Sequence, residues 1–180
     1  PIKPVLFIKT PNTRNQHGAD VVHPGNGERL QPGPALGVVI GKTASRVRPD
    51  EALDYVAGYT IVNEFSLPED SYYRPAVKAK CRDGFCAIGP ELVPTTQLAD
   101  PHSLAIKLYV NGVIRQQNTT ANFVRNIPLL IAEISEFMTL HEGDVLITGT
   151  PEDRVDVQPG DTVEVEISGL GRLANHIVAE

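Results

Sequence analysis

Apolar residues along this chain come in short runs rich in valine, isoleucine and threonine, broken by glycine and proline, each of which occurs fifteen times. Runs of that length and chemistry fit strands better than helices, because β-branched side chains suit a pleated surface and Gly or Pro ends the run. The pattern predicts strands over residues 5–9, 35–41, 59–65, 104–110, 113–117, 145–148, 162–167 and 174–178. In "LAIKLYVNGVIRQQN", Asn111 and Gly112 sit between two such runs and predict a tight hairpin, since both residues tolerate positive φ. One segment has a helical period. In "NFVRNIPLLIAEISEFMTL", Ile127, Leu130, Ile131, Ile134, Phe137 and Met138 recur every three or four residues, Pro128 suits the first turn, and Asn122 or Asn126 can cap it. This helix should lay one apolar face on a sheet. A shorter helix over 49–55 follows from Asp50 and Glu51 in its first turn. The chain therefore reads as mainly β with few helices: a sandwich, barrel or roll.

With 180 residues and 41% hydrophobic content, one domain with a substantial core is expected over 1–180. The net charge of -6 and pI near 5.4 argue against a nucleic-acid partner, which would require clustered Lys and Arg. No apolar run approaches the ~20 residues that span a bilayer, and "PIKPVLFIKTPNT" lacks the features of a secretory signal, so no membrane partner and a cytoplasmic location are expected. The opening Pro1, leading directly into an apolar run, suggests part of a longer chain lacking its amino-terminal segment.

Both cysteines lie in "KAKCRDGFCAIGP". Cys81 and Cys86 could belong to a metal knuckle, a redox pair or a packed turn. Zinc needs four ligands and this spacing supplies two, while redox pairs favour C-x-x-C, so two reduced cysteines packed around a turn at Asp83 and Gly84 are expected. The five histidines are scattered without ligand spacing. Polar residues at strand ends remain as carriers of chemistry: Asn63 and Glu64, Tyr72, Tyr73 and Arg74, Lys80, Arg82 and Asp83, the 116–119 stretch, and "TGTP" at 148–151. Each has an ordinary alternative, as a solvated carboxylate, a surface ion pair or a strand-forming threonine.

Five stretches, "ALGVVIGK", "DYVAGYTIVNEFS", "KAKCRDGFCAIGP", "NGVIRQQNTT" and "LHEGDVLITGTP", stand in the order and approximate spacing of the fumarylacetoacetate hydrolase superfamily, which the chain resembles over nearly its whole length. More narrowly, "LPEDSYYRPAVKAKCRDGFC" resembles the amino-terminal half or subunit of the bifunctional isomerase/decarboxylases of 4-hydroxyphenylacetate (homoprotocatechuate) degradation. These act on 5-oxopent-3-ene-1,2,5-tricarboxylate and 2-hydroxyhepta-2,4-diene-1,7-dioate. The resemblance implies a β-roll with one long helix and short helices, an oligomeric assembly with a homologous sister subunit or with itself, and a dicarboxylate substrate. It also implies a site that binds Mg2+ or Mn2+ through two glutamates and an aspartate, where the cation grips the 2-oxo acid and stabilises an enolate. By the same resemblance Lys80 is the catalytic lysine, Thr150 the substrate-facing threonine, and Tyr72, Arg74 and Asn63 contact substrate.

The ligand positions depart from the family pattern. The two glutamates align with Gly33 and Ala35, the aspartate with Glu64, and a neighbouring arginine with Pro68. Glu64 alone survives as a candidate ligand, so no metal is expected on this chain. Gly33, Ala35 and Glu64 should nevertheless converge at one end of a sheet, with Ala35 and Glu64 on one face. Three readings follow: a decarboxylase/isomerase acting with its sister half, a noncatalytic half that shapes that enzyme, and a hydrolase of acylpyruvates. The lost ligands count most against the last, since hydrolysis needs an activated water.

Overall fold

The computed structural model describes residues 3–69, 74–98 and 100–180. In chain order its strands are β1 (Arg14–Asn15), β2 (Asp20–His23), β3 (Pro34–Ile40), β4 (Val56–Glu64), β5 (Cys86–Pro94), β6 (Ala105–Val110), β7 (Val113–Thr119), β8 (Val145–Ile147), β9 (Thr162–Ile167) and β10 (Gly171–Ala179). Two α-helices accompany them, α1 (Val77–Lys80) and α2 (Ile127–Ser135). The strands form two five-stranded sheets in the orders β1-β5-β4-β3-β8 and β2-β10-β9-β6-β7. Both sheets are mixed, because β1 joins β5 and β2 joins β10 in parallel while the remaining pairs are antiparallel.

Alternation along the strands decides which side chains meet. Leu36, Val38 and Ile61 of the first sheet share one core with Leu108, Val165 and Leu173 of the second, and α2 adds Ile127, Ile131 and Ile134. Each such fully buried side chain contributes roughly 1.5–3 kcal/mol relative to exposure. Asn126 caps α2, its Oδ1 accepting from Leu129 N at 2.9 Å. The hairpin joins β6 to β7 with Asn111 at φ 52° and Gly112 at φ 76°, both in the left-handed region that a two-residue turn of this type demands.

The opposite pleat of the first sheet carries a second, smaller cluster. Ala35, Val62 and Cys86 turn away from the main core and pack with Ile88, Val145 and Ile147. Ala35 stands opposite Val62 and Cys86 opposite Glu64, and Glu64 N donates to Gly33 O at 2.8 Å. This face therefore ends in a row of Gly33, Glu64 and Cys86, and that row begins the site.

Sequence expectation and structure differ in four places. Residues 5–9 form no strand: Val5, Leu6, Phe7 and Ile8 are partly or largely exposed, and the segment crosses the surface outside either sheet. The strand Cys86–Pro94 was hidden by Pro90 and Pro94, which it accommodates because β1 covers only Cys86 and Ala87 on that side. Helix α2 stops at Ser135, leaving Phe137 69% exposed instead of on the apolar face, with Met138 exposed beside it. Residues Pro49–Tyr55 are helical but wind as a 3-10 helix.

Candidate active site

Four separate segments meet at the row that ends the second face. Glu64 closes β4 and is buried. Lys80 arrives from α1, a single helical turn whose geometry sends Lys78 outward to Glu28 (3.3 Å) and Lys80, two residues on, inward. Lys9 comes from the extended amino-terminal segment, which is pinned to the Cys81 turn: Asn12 Nδ2 donates to Cys81 O at 2.9 Å and to Asp83 Oδ1 at 2.7 Å. Arg154 comes from the loop that follows β8.

Glu64 gathers all three cations. Its Oε1 lies 3.1 Å from Lys9 Nζ, and its Oε2 lies 3.1 Å from Lys80 Nζ and 2.9 Å from Arg154 Nη2. Lys9 Nζ also donates to the carbonyl oxygen of Lys80. Glu69 stands 3.9 Å from Lys80 Nζ, and the Lys80 ammonium lies 4.8 Å above the Phe7 ring. Burial pulls the Lys80 pKa below its ordinary value; Glu64 opposes that shift and Arg154 adds to it. The Cys86 thiol on the same face is pushed up to about 11 by burial, with Lys9 acting in the other direction. Both cysteines are free, Cys86 packed in the apolar cluster and Cys81 half-buried with Sγ 3.5 Å from Ile8 O.

Thr150 links this cluster to a cavity of about 250 Å3. Its Oγ1 accepts from Arg154 Nη2 at 3.1 Å and from Nε at 3.3 Å. The cavity is lined by Thr148, Gly149, Thr150, Asn118 and Arg125, with Ile106, Phe123 and Leu130 among its apolar walls. Arg125 is ion-paired with Glu133 at 2.8 Å.

The residues expected from the sequence divide. Lys80, Glu64 and Thr150 come together, and Gly33 and Ala35 share the face of Glu64, as the alignment requires. Asn63 is turned by the pleat to the opposite face, where it is fully buried and its Oδ1 accepts from Gly33 N at 2.9 Å; it holds the backbone beside Glu64 and does not line the cavity. Arg74 is exposed and takes no part in the cluster. Tyr72 lies outside the described residues. Sequence reasoning missed Lys9 and Arg154. The signal for Arg154 was available, since a site that exchanges two carboxylates for Gly33 and Ala35 and carries an arginine four residues after Thr150 has inverted its charge.

The residues present do not fit the divalent ion implied by the resemblance. A Cβ built on Gly33 would stand 2.5 Å from Arg154 Nη2 and 2.8 Å from Thr150 Cγ2, and would run into the Glu64 carbonyl oxygen. No side chain can start there, so no ligand can be supplied from that position without displacing Arg154. Ala35 has no donor atom, and Glu64, the remaining carboxylate of the row, is already saturated by cations. A hard cation seeking several oxygens meets three positive charges instead.

A family model described as fumarylacetoacetate (FAA) hydrolase C-terminal matches residues 1–178. Along its whole length the chain is 48% identical to the 4-hydroxyphenylacetate degradation bifunctional isomerase/decarboxylase of Salmonella dublin, of which it covers 42%. It thus spans less than half of that curated relative. The matching model is named for a C-terminal region, so the amino-terminal placement expected from the motifs gains no support from it. Among solved structures, 5-carboxymethyl-2-hydroxymuconate delta-isomerase from Mycobacterium smegmatis is similar with a TM-score of 0.93 at 31% identity, over 100% of this chain and 71% of that one. A maleylpyruvate hydrolase from Sphingobium, solved with manganese(II) and pyruvate, is similar with a TM-score of 0.88 at 32% identity, over 96% of this chain and 64% of that one.

Proposed function

Because the chain belongs to the fumarylacetoacetate hydrolase family, we propose that it serves in the decarboxylation and isomerisation of 2-oxo (2-hydroxy-diene) dicarboxylates in 4-hydroxyphenylacetate breakdown, in an assembly with a homologous sister half or subunit. The observation that carries this reading is the buried cluster of Lys9, Lys80 and Arg154 around Glu64, joined through Thr150 to a cavity of about 250 Å3. Decarboxylation and a 1,3-proton shift both pass through an enolate, and fixed cations in a water-poor site stabilise charge as it develops. Thr148, Thr150 and Asn118 supply polar groups to orient a carboxylate at the cavity wall. Burial lowers the Lys80 pKa from its ordinary value, which makes its ammonium a readier proton donor than a solvated lysine. No step of this reading uses a metal on this chain.

A second reading is favoured by one feature of the same cluster. The Lys80 ammonium is engaged by Glu64 and Glu69 and does not line the cavity, as a noncatalytic half that shapes a competent partner would have it. Turnover of 5-oxopent-3-ene-1,2,5-tricarboxylate separates the two. Rates are measured for the complex with its sister half, carrying Lys80 or Lys80→Met, at matched assembly. A large loss on substitution supports the catalytic reading, and an unchanged rate removes Lys80 from the catalysis and leaves this chain a structural role.

A further inference from the structure

We infer that Arg154 is the resident cation of this site, a guanidinium built into the place where a carboxylate-lined version of the fold would hold a divalent ion, and that it receives the carboxylate end of a 2-oxo dicarboxylate without metal. The inference deepens the reading above and rests on it for the class of ligand. Three independent observations support it. The first is steric: Gly33 leaves room for Arg154 Nη2 at the spot its own Cβ would fill, so glycine at 33 and arginine at 154 are a matched pair. The second is chemical: Nη2 binds Glu64 Oε2 at 2.9 Å and, more loosely at 3.4 Å, the Glu64 carbonyl oxygen, so the guanidinium engages the one candidate ligand carboxylate that survives in the row. The third concerns direction. Nε and Nη2 both hold Thr150 Oγ1, and Thr150 lines the cavity, while Nη1 has no hydrogen-bond partner among the described residues.

The charge count agrees. Lys9, Lys80 and Arg154 bring three positive charges against the two carboxylates of Glu64 and Glu69, leaving one in excess beside the cavity. An arginine suits this role better than a lysine. Its planar fork can hold Glu64 and Thr150 through Nε and Nη2 and still leave Nη1 to donate to a ligand carboxylate.

The test is calorimetric titration of 2-oxoglutarate into the intact protein in EDTA, repeated with Mn2+ in place of EDTA. Wild type is compared with Arg154→Gln, Arg154→Lys and a distant control, Arg172→Gln, whose partners are Glu164 and Glu166. We expect wild type to bind in EDTA with an affinity that Mn2+ does not improve. Arg154→Gln should weaken binding by about 30-fold, within the range for one charge-assisted hydrogen-bonding group. Arg154→Lys, which keeps the charge and holds Glu64, should fold normally and weaken binding by a smaller factor of about 5. Arg172→Gln should change nothing. Binding that persists at wild-type strength in Arg154→Lys and Arg154→Gln, or that appears only with Mn2+, overturns the role of Arg154 and leaves the proposed function standing. Absence of binding by wild type under both conditions overturns the substrate class and, with it, the ligand assigned to Arg154.

Discussion

Replacing Glu64 by glutamine removes one charge and almost no volume, and it asks what that carboxylate is for. In the structure it is the counter-ion of Lys9, Lys80 and Arg154 at 3.1, 3.1 and 2.9 Å, with its side chain about one-tenth exposed. At 3 Å and an effective dielectric constant of ~20, each pair is attractive by about 5 kcal/mol before repulsion among the cations and the cost of desolvation are subtracted. Removing one partner of a buried ion pair typically destabilises by about 3–5 kcal/mol, because the remaining charges stay buried without compensation. Glu64→Gln should therefore lower the unfolding free energy by about 3–5 kcal/mol, out of a total of about 5–15. For a chain of this size that corresponds to a fall in Tm of roughly 6–20 °C. The assay is thermal and urea unfolding of both proteins at pH 7, each in EDTA and in Mn2+. A carboxylate that awaited a metal would behave in the opposite way. Its neutralisation would leave the metal-free protein as stable or more so, and would abolish a stabilisation by Mn2+ seen in wild type. Either result, or a change within about 0.5 kcal/mol, refutes the counter-ion role.

Gly33→Ala places a methyl group against Arg154 Nη2 and the Glu64 carbonyl oxygen, so urea denaturation should show a loss of at least about 2 kcal/mol, in the upper part of the range for overpacking; a neutral substitution would deny the close approach. Lys80→Met tests the direction of its pKa shift. Burial makes the native state release the Lys80 proton below the ordinary 10.5, so the unfolded chain binds more protons between the lowered value and 10.5, and the stability of wild type relative to Lys80→Met should rise with pH through that window. A relative stability that falls there would reverse the assignment. Cys86, with a thiol pKa of about 11, holds only about one part in a thousand as thiolate at pH 8, so alkylation of the native protein should label Cys81 first and leave Cys86 for the unfolded chain. Rapid native labelling of Cys86 would contradict its burial.

Much of the architecture was legible because the apolar pattern has a physical period. Seven of the expected strands exist, with ends shifted by a few residues, and Asn111 and Gly112 make the turn their chemistry dictates. The failures have causes too. The run at 5–9 is as apolar as a strand, but sequence alone does not reveal that the sheets leave no place for it, and its value lies in delivering Lys9 to Glu64. Proline concealed β5, since its tolerance at 90 and 94 depends on how little of that strand β1 covers. At the site, the family positions of Lys80, Glu64 and Thr150 fall in one cluster, while Asn63 lies on the opposite face because the pleat that presents Glu64 must turn its neighbour away. Lys9 contacts Glu64 across 55 residues, a relation that no local pattern encodes, and Arg154, at a separation of 90, was legible only through the carboxylates missing at 33 and 35.

The central claim, that organic cations occupy the place of a metal, is tested most directly by measuring metal bound to the purified protein after equilibrium dialysis against Mn2+ and Mg2+. The account predicts no stoichiometric ion in wild type. A stoichiometric ion that is lost on Glu64→Gln would contradict it.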